Sequence, residues 1–190
     1  MNNYLTNNQL PIISNLFIQK QKELTQIAGN LQIADVKEDR RFEATVNHLK
    51  QQLLLTPIVI GEPKISGHHQ TRRNVPPNFQ NLMGGVQDVF EITVEFPFSG
   101  SSELLGYMPS GIALPVGRIF QTFGNTIDIE VMLTKLDKVE ALNTAKQDMS
   151  TTLAFVAANN MQAQQWAIKF EPIIINTLNQ RRKELTDFYS

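Results

Sequence analysis

The hydrophobic positions of this chain change period twice, from helical spacing to strict alternation and back. Beyond Leu10, the positions Ile13, Phe17, Lys20, Leu24 and Ile27 recur at intervals of three and four, which predicts a helix with one lysine in its apolar face. Gly29-Asn30 supplies a C-terminal stop. A second helix is predicted to start at Asp35, which together with Glu38 has the spacing of a capping box. Phe42, Val46, Leu49 and Leu53 form its apolar face. Thr56-Pro57 ends it, because a residue before proline avoids the helical region.

The middle of the chain has the period of a strand. Phe90, Ile92, Val94, Phe96 and Phe98 alternate with Glu91, Thr93, Glu95 and Pro97, and Ile127, Ile129, Val131 and Leu133 repeat the pattern. Gly124-Asn125 is a two-residue hairpin signal joining 116–123 to 127–134. Residues 58–66 read as a further strand, which Pro63 confines to an edge. Shorter strands are expected at 103–108 and 112–116, split by the Pro109-Ser110-Gly111 turn. Residues 64–87 contain no acid and read as a long irregular loop.

Helical spacing returns in the last third. A stripe runs through Met149, Leu153, Val156, Asn160, Ala163, Ala167, Phe170, Ile174, Leu178 and Leu185, with Pro172 expected to kink or split the helix. Together these elements predict an α+β fold. An antiparallel β core is flanked by N-terminal helices and a long kinked C-terminal helix, in a single domain spanning 1–190. Its parts are a helical segment at 10–55, the β core at 57–135 and the long helix at 137–187. The apolar faces of the terminal thirds pack against each other, and surplus stripe favours self-association.

Composition narrows the classes. The chain is 42% hydrophobic and 18% charged, as a globular protein is, with Gln and Asn supplying much of the polarity. A net charge of −1 gives no global attraction to nucleic acid or an anionic membrane. The absence of cysteine excludes disulfides, thiolate metal sites and cysteine nucleophiles. The N-terminus lacks the basic and apolar regions of a secretory signal, and no apolar run approaches the ~18 residues of a membrane span. A cytoplasmic protein without membrane contact is expected.

Candidate chemistry concentrates in GHHQTRRNVPP, residues 67–77. His68 and His69 are adjacent, so on extended chain they point to opposite sides and cannot easily share a metal ion. His48 is the remaining histidine. Arg72 and Arg73, with Lys64 nearby, could hold a phosphate, a carboxylate or a partner, and Phe79 and Tyr107 could offer stacking faces to a nucleic acid. Glu91, Glu95, Asp128 and Glu130 occupy polar strand faces and could do acid–base work or hold magnesium, although Lys135 lies too far beyond Glu130 for a nuclease motif. PFSGSSE lacks a nucleophile elbow, and Gly84-Gly85 makes neither a P-loop nor a dinucleotide fingerprint. No cofactor, metal ligand set or catalytic residue is assigned. On the long helix, Phe155, Trp166, Phe170, Ile174 and Leu178 are the candidate interface, and Arg181, Arg182 and Lys183 complement the dipole of its last turns.

The strand and turn FEITVEFPFSGSSELLGYMPSG (90–111), followed by the hairpin and a helix ending in IINTLNQRRKEL (174–185), resemble an uncharacterised bacterial module. In conflict and anti-phage proteins that module often precedes an effector domain. The resemblance covers residues 90–185, carries no catalytic residue, and implies a sensing, regulatory or assembly role whose effector lies in a further segment or a separate partner. The leading expectation is therefore a non-enzymatic interaction module that forms a homo-oligomer or binds a partner protein. The alternatives are nucleic-acid or nucleotide binding through the basic 64–87 segment, and a metal-dependent hydrolase or nuclease using the strand carboxylates.

Overall fold

The computed structural model describes residues 4–6, 10–75, 85–111, 118–120 and 122–190, and within them the fold is α+β. The elements in order are β1 (Tyr4–Thr6), α1 (Ile13–Asn30), α2 (Ile33–Val36), α3 (Asp39–Leu53), β2 (Val59–Ile60), β3 (Lys64–Val75) and β4 (Gly85–Ser99). A 3-10 turn (Ser102–Gly106), β5 (Arg118–Phe120), β6 (Thr122–Phe123), β7 (Thr126–Leu133) and α4 (Lys138–Tyr189) follow.

β4 is the axis of an antiparallel sheet of five strands, in the order β2-β4-β7-β6 with β3 also paired to β4. β2 and β3 follow one another along one edge of β4, and Gly61 N–H donates to Pro97 O at 2.7 Å in the link between them. Pro63 falls in that link, where no ladder bond is required of it. β1 and β5 form a separate antiparallel pair. The hairpin at Gly124-Asn125 is present, with Phe123 opposite Thr126 and Gly124 at φ +61°.

The alternation in sequence decides which sheet face is covered. Ile92, Val94, Phe96 and Phe98 of β4 and Ile127, Ile129, Val131 and Leu133 of β7 are buried in one core with Ala141, Ala145 and Met149 of α4. Small alanines there let the helix approach the sheet closely. Farther along, α4 packs against α1 and α3, with Leu16, Leu24, Leu49, Leu53, Phe170, Ile174 and Leu178 inside. Trp166 stacks on Phe17 (4.8 Å between ring centroids) and on Phe170 (4.3 Å). The lysine in the α1 stripe is buried too, and Lys20 Nζ meets Glu103 at 3.0 Å and Glu23 at 3.4 Å. Burial pulls its pKa down, but the two carboxylates outweigh this and hold it above the ordinary value.

Connections are fixed to α4 by side-chain amides that act as backbone partners. Asn160 accepts from Ile58 N–H (2.8 Å) and donates to Ile58 O (2.7 Å), and Gln162 does the same for Ser110. Buried Asn159 donates to Leu104 O and Tyr107 O, both at 2.7 Å. Ser101 N–H donates to Thr56 O, and Gly100 at φ +104° leaves no room for a side chain: a Cβ would stand 2.3 Å from Pro57 O.

Several expectations are overturned. The segment expected to be an irregular 64–87 loop is strand wherever it is described, at 64–75 and 85–87. As an edge strand with most side chains exposed on both faces, β3 has no hydrophobic alternation to betray it. Residues 103–108 are not a strand, because adjacent Leu104 and Leu105 are both buried, as a 3-10 turn allows and a strand facing one core does not. The expected strand at 112–116 lies outside the described residues. Asp35 is not a cap residue: its carboxylate accepts from Gln32 N–H at 2.8 Å, closing a capping box for α2, and α3 starts after Glu38. Pro172 does not split α4, which runs unbroken through it and is 52 residues long in all. Pro172 is exposed, so the Ile168 carbonyl that loses its helical donor is on the wet side.

Two further corrections concern the long helix. Phe155, Trp166, Phe170, Ile174 and Leu178 are in the core and not at a free interface, since α1, α3 and the neighbouring turns cover them. Arg181 and Arg182 do not serve the end of their own helix. Arg181 donates to Gly29 O (3.0 Å) and Leu31 O (3.3 Å) at the end of α1, and Arg182 donates to Lys37 O and Asp39, each at 2.7 Å. They satisfy carbonyls that α1 and the α2–α3 link leave without helical donors.

Candidate functional site

Two exposed surfaces compete as the site. The first is the β3–β4 hairpin, which carries the basic residues singled out in the sequence. Its register sets Lys64 opposite Glu95, His69 opposite Glu91 and Arg72 opposite Asp88. Lys64 Nζ lies 3.1 Å from Glu95, and Arg72 lies 4.0 Å from Asp88 with both groups well exposed. Arg73 reaches diagonally to Glu91 and forms an ion pair with it, while His69 Nε2 lies 2.8 Å from the other Glu91 oxygen. The basic segment thus has its acids on the adjacent strand. The three cations Lys64, Arg72 and Arg73 face the three carboxylates Glu95, Asp88 and Glu91.

Alternation also separates the residues that looked clustered. His69 and Arg73 share the Glu91 face of the sheet, whereas His68 and Arg72 are one residue out of phase and stand on the opposite face. The arginine pair is therefore not a two-pronged anion grip. Phe79 lies outside the described residues, and Tyr107 is half-buried beside the core with its carbonyl taken by Asn159. Among the described residues, no three His, Asp or Glu side chains converge as metal ligands.

Glu91 is the centre of this face and is only 2% exposed. Burial pulls its pKa up, but hydrogen bonds from Arg73 and Glu130, with the charges of Arg73 and His69, hold it below the ordinary carboxylate value. Glu130 is displaced the other way, by burial first and then by its contact with the ionised Glu91. The two carboxyls, bridged to each other, thus have their pKa values pushed apart, Glu91 down and Glu130 up. Such a pair has the polarity of an acid–base couple, but Glu91, the member whose ionised form is favoured, is already bound by Arg73.

The second surface is the outer face of α4. No charged residue or histidine occurs between Asp148 and Lys169. The inner side of this stretch is the core already described. Its outer side exposes Ala154, Ala157, Met161, Gln165 and Ile168, flanked by exposed Leu153 and Gln164, with Ile168 74%, Met161 46% and Leu153 42% exposed. An exposed helix face ordinarily carries charge opposite its buried stripe, so this one departs from the rule along about 30 Å of helix. At its C-terminal end it opens into shallow hollows. One of about 390 Å³ is lined by Ile168, Glu171, Pro172, Ile175 and Asn176, and one of about 280 Å³ by Phe42, Glu43, Val46, Asn47 and Ile175.

Sequence reasoning set the candidate interface on the side of α4 that is buried in the core. The signal was available in the charge-free run from Met149 to Ile168, which apolar periodicity alone does not register. The Glu91–Glu130 contact was not available, because it depends on the register of β4 with β7. Comparison of the chain with protein-family models, with curated proteins and with solved structures yields no match.

Proposed function

We propose that this chain is a non-enzymatic assembly module, and that its contact surface is the uncharged outer face of α4. The observation that carries the reading is the exposure of Ala154, Ala157, Met161 and Ile168 along a helix segment without a single charge. Contacts between chains favour aromatic, Met and aliphatic groups in a centre depleted of charge, and the segment has that character. The paired hairpin supports the same reading from the other side. Its cations are neutralised within the chain, which removes the electrostatic footprint that a nucleic-acid surface requires. The resemblance of residues 90–185 to modules that precede effectors gives assembly a use, since gathering chains gathers whatever they carry.

Light scattering on the purified chain during size-exclusion chromatography tests the proposal. The wild type is expected at a multiple of the 21.5 kDa chain mass, and Ile168→Glu at 21.5 kDa with unchanged helix content. A wild type at the single-chain mass over the whole accessible concentration range would refute it.

A further inference from the structure

We infer that the surface docked on the outer face of α4 is the same face of a second copy of this chain, crossing antiparallel with Met161 on the two-fold axis. This rests on the assembly reading and adds the partner and the register. The exposed positions are symmetric in spacing: Ala154 and Ala157 lie seven and four residues before Met161, and Gln165 and Ile168 lie four and seven after it. On this line they are asymmetric in size, small before the centre and large after it, while exposed Leu153 stands about 80° around the helix from Met161 and so beside the line. An antiparallel crossing sets Ala154 against Ile168 and Ala157 against Gln165, so each large side chain meets a small one and the helices stay evenly spaced. A parallel crossing sets alanine against alanine at one end and isoleucine against isoleucine at the other, leaving a gap and a clash.

The flanks agree with this direction. Exposed Lys146 precedes the stripe and Glu171 follows it on the same side of the helix. Antiparallel pairing brings the lysine of one copy toward the glutamate of the other, whereas parallel pairing sets like charges together. Each also has a partner within its own chain, Lys146 with Glu62 and Glu171 with Lys50, so the contact between copies extends an existing network. Beyond Ile168, the hollow beside Pro172 falls opposite Gln147 and Ser150 of the second copy, which are exposed and uncharged. An isologous contact demands such self-complementarity of one patch, and a patch without charge has nothing to repel in its own image.

The chain has no cysteine, so single-cysteine variants read the register directly. Met161→Cys is expected to form a disulfide-linked dimer under mild oxidation. Ala154→Cys and Ile168→Cys are each expected to remain unlinked when expressed alone, because their sites lie about 21 Å apart along the helix and a disulfide needs Cα atoms within about 7 Å. Co-expressed, the two are expected to link to each other. Self-linking of both Ala154→Cys and Ile168→Cys would mean a parallel crossing and would overturn the inference while leaving assembly intact. Absence of linking at all three positions, in samples whose mass is that of two chains, would place the contact elsewhere with the same result. A mass of one chain would remove the second copy and the assembly reading together.

Discussion

On the hairpin, every cation of β3 stands beside a carboxylate of β4, whereas on α4 the outer face from Met149 to Ile168 offers no charge at all. Both surfaces are exposed, and the first attracts attention in the sequence because Arg72-Arg73 and His68-His69 are conspicuous. Folding reverses their ranking. The hairpin's cations Lys64, Arg72 and Arg73 face carboxylates of the same chain, so they present little net charge to a ligand. Among the described residues the helix face meets no covering element, which is why assembly through it is the reading proposed above. Conspicuous residue types are a weaker guide to a site than unmet interactions are.

The comparison implies that changes on the two surfaces, and in the core that supports them, act on different observables. The largest loss of stability is expected for Phe155→Ala, which empties a fully buried ring position on the inner side of α4. Urea unfolding should show a destabilisation of about 3–5 kcal/mol. Gly100→Ala follows, at about 2–3 kcal/mol, since it combines a positive φ with a clash against the Pro57 carbonyl. If the same residue that fills the core also carried assembly, Phe155 variants that remain folded would change the mass of the complex, and they are expected not to.

Glu91 gives the hairpin its next test. Glu91→Gln keeps the shape but removes the charge that Arg73 and His69 share, and about 1–2 kcal/mol should be lost at neutral pH. The pH dependence of the pair has two signs. The folded pKa of Glu91 is depressed, so its contribution is present above the unfolded value of about 4.3 and is lost as pH falls through the folded one. The folded pKa of Glu130 is raised, so its contribution is present below about pH 4.3 and lost as pH rises through the folded value. Glu130→Gln, which imitates the protonated form, is therefore expected to stabilise the chain at pH 7 and to give no gain near pH 4. Chemical denaturation of both forms at the two pH values checks this, and a loss at pH 7 would contradict the upward shift of Glu130.

Arg72→Ala should have the smallest effect on stability, under about 0.5 kcal/mol, because its pair with Asp88 lies in solvent. Its neighbour makes the contrast sharper. Arg73→Ala strips the buried Glu91 of its main counter-charge and should cost clearly more, so two adjacent arginines are separated by the alternation of the strand.

How much of this was legible beforehand depends on whether a residue's surroundings lie on its own element. The alternation Phe90–Phe98 and Ile127–Leu133 announces strands with one buried face, and those strands form the sheet. β3 was not legible, because an edge strand wet on both faces has no reason to alternate, and its pairing with β4 is encoded in a register that the sequence does not display. The charges of Lys64, Arg72 and Arg73 looked unopposed for the same reason, their acids lying up to 31 positions along the chain on the adjacent strand. On α4, the stripe through Phe155, Trp166 and Phe170 shows which residues share a face, but a helix buries its most apolar face within its own chain first. The weaker, charge-free face is then the one left exposed.

Sedimentation equilibrium of the wild type and Met161→Glu over a wide concentration range tests the central claim most directly. The wild type is expected as a species of two chains that dissociates only on dilution, and the variant at 21.5 kDa with the same thermal midpoint as the dissociated wild type. A wild type that remains at 21.5 kDa throughout, or a Met161→Glu protein that assembles as well as the wild type, would contradict it.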